Sequence, residues 1–213
     1  MRLEDLQFFD PRAPIIFGAN RLPHWQQLGG TCFVTFRLGD SVPKPLLDRW
    51  GSERDAWLRL HPLPWTSAHE REYDERFAGA MEVWLDAGHG ACVLRRADCA
   101  TVVAEALRHF AGERYEPISW VVMPNHVHAL FAFRADHTLE SILHSWKLFS
   151  ARRINARLGR KGPLWQRDYF DRLIRDHSHL ARCVRYIRHN PEKAGLRPGE
   201  YLLFESELAK QIV

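Results

Sequence analysis

Cysteine is scarce in this chain of 213 residues: there are four, Cys32, Cys92, Cys99 and Cys183, and no C-x-x-C pair. That excludes a zinc-ribbon cage and a disulfide scaffold as the source of stability, and reads as reduced thiols in a cytoplasm. Long apolar runs are also missing. No stretch approaches the roughly 18–20 apolar residues of a membrane helix, and MRLEDLQFFD carries acids and Phe where a signal peptide has a basic start. There is no G-x-x-x-x-G-K-[ST] phosphate loop, no fixed-period repeat and no low-complexity tract, which argues against an ATP-driven motor and a solenoid. What is present is a folding chain: 46% apolar, 12% aromatic, eight Trp. The length suits one domain with an elaboration, and a net charge of +4 permits a polyanionic partner without demanding one.

The expected organisation is a single domain over 1–213. Residues 1–28, with Pro11, Pro14, Gly18, Asn20 and Pro23, read as an irregular N-terminal arm. GGTCFVTFRLGD (29–40) is a first strand between glycine punctuation. Residues 41–89 show apolar residues at helical spacing and predict an insertion of two helices joined around Pro62 and Pro64. Asp98 is placed to cap a core helix with a Val102, Val103, Ala106, Leu107, Phe110 stripe. ISWVVMPNHVHALFAF (118–133) predicts a hairpin turning at Pro124-Asn125, since a central strand does not hold that pair. A helix over 139–162, a strand in WQRDYFDRLIRD and a helix around HSHLARCVRYIRHN stopped by Pro191 complete a core spanning 29–40 and 90–196, with 197–213 as a C-terminal tail. The order β-α-β-β-α-β plus a final helix predicts an α+β fold of ferredoxin-like plan, an antiparallel sheet with its helices on one face.

His126-Val127-His128 opens the second hairpin strand, where residues i and i+2 share a face, so both imidazoles converge on one point and suit a divalent metal. Twelve histidines in 213 residues predict roughly 0.7 such H-x-H pairs by chance, so two edge-strand histidines remain an equal reading. A second pair, His177-Ser178-His179, starts a helix after Asp176. There i and i+2 diverge by about 200°, which makes a poor chelate and a good solvated cap. Tyr186 and Asn190, four apart on one helix, form neighbours that could act as nucleophile and ligand, or as packing and a helix end. Tyr169, in an alternating strand pattern, reads as packing.

Charge is concentrated. Between Ser141 and Arg167 stand Lys147, Arg152, Arg153, Arg157, Arg160, Lys161 and Arg167 with no Asp or Glu, which leaves the rest of the chain at −3. Interleaved with Trp146, Phe149 and Trp165, the stretch reads as a groove for a phosphate backbone with aromatic surfaces for unstacked bases, the bland alternative being a solvated helix face.

The ordered set VVMPNHVHALF, GPLWQRDYFDRLIRD and CVRYIRHNPEKAGL resembles the HUH-type single-tyrosine transposases related to IS200/IS605 elements, and most of all the REP-associated tyrosine transposases. The resemblance covers about Gly29 to Leu196. It implies that His126 and His128 are the metal-binding pair, that Tyr186 is the nucleophile, and that Asn190 is the third ligand, where many members carry Gln. It further implies Mg²⁺ or Mn²⁺ as cofactor and a 5′-phosphotyrosine intermediate. The implied partner is single-stranded DNA with REP-like palindromic hairpins, bound by a monomer or homodimer in the cytoplasm, associated with the nucleoid. The DNA-contacting set would be the seven basic residues and Trp165. A domesticated, non-catalytic DNA-binding protein that keeps the fold is the alternative.

Overall fold

Thr31–Arg37 and His126–Phe133 become the centre of a sheet because almost every side chain in them is apolar or finds a buried partner. A computed structural model describes residues 2–14, 16–18, 24–62, 65–134 and 137–212. Asn20, Pro23 and Pro64, part of the expected punctuation, lie outside them. In the arm, β1 (Ile16–Gly18) and β2 (His24–Gln26) pair as a short antiparallel ribbon. Then follow β3 (Thr31–Arg37), α1 (Lys44–Leu60), α2 (Ser67–Tyr73), a π-helical turn at Asp74–Ala78, and α3 (Gly79–Asp86). The core continues with α4 (Ala97–His109), β4 (Tyr115–Val122), β5 (His126–Phe133), α5 (Leu139–Leu158), β6 (Phe170–Leu173) and α6 (His177–Lys193). β7 (Leu202–Glu205) and α7 (Glu207–Gln211) close the described chain.

The main sheet has the order β6-β3-β5-β4-β7 with antiparallel neighbours throughout. This is the α+β ferredoxin-like plan, in which each of the crossovers through α4 and α5 skips one strand. All eight residues of β5 are buried, as expected of a strand covered on both faces. On one face Val34, Phe36, Trp120, Val127, Ala129 and Phe131 pack against α4 and α5. On the other, Val121, Met123, Leu130 and Ala132 meet Leu180, Val184 and Ile187 of α6 and Leu208 of α7. Successive strand residues point to opposite faces, so His126 and His128 share the α6 side with Leu130.

Several expectations change. The two crossover helices lie on one face as expected, but α6 takes the opposite face, because its Leu180, Val184 and Ile187 stripe needs an apolar surface and α4 and α5 already cover the first. Asp98 is not the cap. Arg96 holds that position, and Asp98 sits in the first turn, 2.9 Å from the Arg96 guanidinium, where an acid favours the helix dipole. Pro191 does not stop α6. The helix ends in a Schellman motif: Leu196 N–H donates to Pro191 C=O (2.9 Å), Gly195 N–H to Glu192 C=O (2.9 Å), and Gly195 adopts φ 68°. Pro191 loses one hydrogen bond in the last turns, a cost the following cap offsets. The strand expected in WQRDYFDRLIRD is confined to its second half. The tail is not an appendage, since β7 adds an edge strand to β4 and α7 caps the lower core. Residues 41–89 do hold two helices, α1 and a second that runs unbroken through α2, the π-helical turn and α3, around a cluster of their own that includes Trp50, Trp57, Phe77, Met81 and Leu85.

Candidate active site

β5 is central, so its two histidines are sealed: each is 1% exposed. Their outer nitrogens are held from different elements. His126 Nδ1 lies 2.7 Å from Asn125 Oδ1, and the amide is oriented by its own Nδ2, which donates to the carbonyls of Leu85 (3.2 Å) and His89 (3.3 Å). An amide oxygen only accepts, so His126 Nδ1 carries the proton and Nε2 presents a lone pair. His128 Nδ1 lies 2.7 Å from Thr35 Oγ1, its cross-strand partner in register. The Nε2 atoms converge to 3.0 Å. Burial lowers the His126 pKa to about 3 and pushes His128 well below the usual imidazole range, so both are neutral near pH 7.

The donor set fits a divalent cation. Two neutral imidazoles turn their Nε2 lone pairs toward one point, 3.0 Å apart, as a pair of nitrogen ligands does. Asn190, one turn beyond Tyr186, is 1% exposed, and neither its Oδ1 nor its Nδ2 has a hydrogen-bond partner. Such an orphan costs about 1–3 kcal/mol unless something binds it. Among the described residues no three His, Cys, Asp or Glu side chains group as a metal cage, so two imidazoles and a carboxamide are what the chain offers.

Tyr186 comes from the same chain and places Oη 3.4 Å from His128 Nε2. Phe33 orders both rings, stacking on His128 at 5.6 Å and meeting Tyr186 edge-on at 5.9 Å. Burial, then the nearby carboxylates of Glu82 and Asp86, raise the phenol well above its ordinary pKa. Burial also raises Glu82, against the opposing pull of Lys193 and Arg172. Lys193 Nζ sits 3.0 Å from Asp86 and 6.0 Å from the Tyr186 ring centroid. The helical insertion thus reaches the tyrosine through α3.

Sequence reasoning missed Thr35, Asn125, Glu82, Asp86 and Lys193. Asn125 reads as a turn former only. Glu82 and Asp86 show an i, i+4 spacing on one helix face, but nothing local says that this face meets α6. The second histidine pair does diverge: His177 is exposed, while His179 Nδ1 accepts the Arg175 N–H (3.3 Å). Tyr169 is buried in the core, as expected.

The basic stretch divides. Trp165 is a correction: it is 7% exposed, donates to Ser150 Oγ (2.9 Å) and packs edge-on to Phe36, so it offers no stacking surface to a base. An alternating segment bridged to Leu38 points this indole inward. Lys147 donates to the carbonyls of Gln166 (3.1 Å) and Arg167 (3.0 Å), and burial lowers it to about 8, so it ties a loop in place. Arg152, Arg153, Arg157, Arg160, Lys161 and Arg167 are exposed. Arg153 pairs with Glu105 (2.9 Å) and covers Phe149, the aromatic that does remain accessible. Since α5 lies on the face opposite α6, this patch and the imidazoles are on different sides of the sheet. Arg160, Lys161 and Arg167 belong to the segment that leads from α5 to the edge strand β6.

Comparison with known proteins adds three findings. No curated protein matches the chain. Among solved structures, one described as a REP-associated tyrosine transposase bound to a REP hairpin aligns at 16% identity and a TM-score of 0.46, over 84% of this chain and 76% of that one. The family described as "Transposase IS200 like" matches residues 93–190, just under half of the chain, from the turn before α4 through Asn190. That segment, which holds both imidazoles, the tyrosine and the orphaned carboxamide, is similar to the IS200-like transposases.

Proposed function

We propose that the protein is a metal-dependent nickase and strand transferase for single-stranded DNA that carries REP-like hairpins, working through a 5′-phosphotyrosine at Tyr186. One observation carries the reading: within a single chain, a buried tyrosine hydroxyl stands 3.4 Å from an imidazole nitrogen that converges with a second one at 3.0 Å. His126, His128 and Asn190 would hold Mg²⁺ or Mn²⁺, which when bound polarises the scissile phosphate as a Lewis acid. Asn125 and Thr35 keep the two imidazoles turned toward the phosphate. The Glu82 carboxylate near the Tyr186 hydroxyl would help to hold the nucleophile in place, while Lys193 balances Asp86. Tyr186 Oη attacks phosphorus, the new O–P bond forms as the P–O3′ bond breaks, and the leaving oxygen takes a proton to become a 3′-OH. Attack by a 3′-OH on the phosphotyrosine reverses the step, so bond energy is conserved. The Arg152–Arg167 patch would bind the phosphates of the folded stem.

One observation favours the non-catalytic reading. Glu82 and Asp86 keep the phenol protonated and put two carboxylates where a phosphate must approach. The deciding experiment incubates wild type and Tyr186→Phe with labelled hairpin strands and Mn²⁺. The expected result is a denaturant-resistant adduct with wild type alone. Tight hairpin binding without any adduct would establish the DNA-binding protein instead.

A further inference from the structure

A cleft of 260 Å³ opens between α1 and the β3–β6 edge of the sheet, lined by Thr35, Arg37, Trp50, Gln166, Asp168 and Tyr169 among others. It adjoins the imidazoles. Thr35 Oγ1 is the partner of His128 Nδ1, and Arg37 stands opposite His126 in register, one strand spacing of about 4.8 Å away. Its charge is balanced: Arg37, Lys44 and Arg54 face Asp48, Asp55 and Asp168. A phosphate would meet no surplus of positive charge there. A neutral, polar, flat ring would meet donors and acceptors, with the buried rings of Trp50 and Tyr169 forming part of the wall. The volume lies below the roughly 300 Å³ at which drug-sized pockets begin, which admits one base and not a stacked pair.

Gly51 supplies an independent sign. It lines the cleft from the middle of α1, where glycine weakens a helix, and a Cβ built on it would meet nothing within 4 Å. No contact within the chain calls for glycine there; a side chain would instead stand in the cleft. The approach is also marked, since Gln166 and Asp168, which flank the exposed Arg167 in the segment leading from α5 to β6, line the cleft.

We propose that this cleft seats one unstacked nucleobase of the cleaved strand, next to the scissile phosphate, and that α1 of the insertion creates the subsite. The inference rests on the reading of Tyr186 and the imidazoles as a DNA-cleaving centre. The test measures binding of hairpin oligonucleotides whose single-stranded flank carries an abasic site at each position in turn, with wild type, Gly51→Leu and, as a second variant, Gln166→Ala. Wild type should lose about tenfold in affinity at one flank position, the scale of one or two hydrogen bonds to a base. In Gly51→Leu, which fills the cleft and should melt no lower than wild type, that position should cost less than twofold; Gln166→Ala should show a reduced loss at the same position. Equal profiles in wild type and Gly51→Leu would overturn the subsite. The adduct assay separates the two readings: an adduct with a flat abasic profile removes the subsite and keeps the nickase, and a focused profile without an adduct keeps the subsite in a DNA-binding protein. Neither signal would overturn both.

Discussion

Asn125 illustrates how one residue can be read correctly and incompletely. As a turn former after Pro124 it ends β4, but its side chain also fixes the tautomer of His126 and ties the insertion to the core through Leu85 and His89. Burial of such histidines has a pH consequence. In the fold His126 is held at about 3 and His179 at about 4, against 6.5 for an unperturbed imidazole. Between these values the unfolded chain binds protons that the folded chain does not. Stability from these groups is therefore complete above about pH 6.5 and is lost as pH falls toward 4. At pH 5 each histidine should cost the metal-free protein about 2 kcal/mol relative to pH 7.5. Urea unfolding at the two pH values should show the loss, and His179→Gln should remove roughly a third of it, since buried His126 and His128 both contribute. A loss unchanged by that substitution would place the acid sensitivity elsewhere.

At the scale of elements, α6 carries the candidate chemistry and is anchored by a segment that looks expendable in the sequence. Arg188 Nε donates to Glu205 (2.8 Å), and its two other nitrogens donate to the carbonyls of Ile212 (2.8 Å) and Ala209 (2.9 Å). Both partners of the ion pair are largely buried, with 25% and 17% side-chain exposure. Replacing Arg188 with Ala leaves Glu205 and the Ile212 carbonyl without a donor, while the Ala209 carbonyl keeps the Ile212 N–H (3.1 Å), and should cost about 2–3 kcal/mol. Chemical denaturation measures it. A loss under 0.5 kcal/mol would show that β7 and α7 dock on α6 without this clamp. The same reasoning explains why 197–213 resists sequence reading: LLFE is four residues long, and its strand pairing depends on the free edge of β4.

At the scale of the molecule, the sheet separates two functional surfaces. Basic side chains on α5 lie over one face and the histidine–tyrosine cluster under the other, so a DNA strand that uses both must pass round the rim of the sheet. Charge reversal of Arg152 and Arg153 to Glu should therefore weaken hairpin binding and flatten its dependence on salt, because two phosphate contacts and their released counterions are removed. A slope of log affinity against log salt that stays within error of wild type would locate the stem on another surface. Since Tyr186 meets the imidazoles of its own chain, dilution should leave adduct formation per protein molecule unchanged, as for a site built within one protomer.

Local order alone was enough for much of this protein. Residue spacing determined the α+β alternation, the hairpin around Pro124-Asn125, the shared face of His126 and His128, and the helical face that joins Tyr186 to Asn190, because periods of 2 and 3.6 are properties of the backbone. Those periods say nothing of which face of a sheet a helix will cover. For that reason the side taken by α6, the burial of Trp165, the reach of Glu82 from the insertion to the tyrosine and the cleft at Gly51 came from long-range packing, where apolar stripes compete for a limited buried surface.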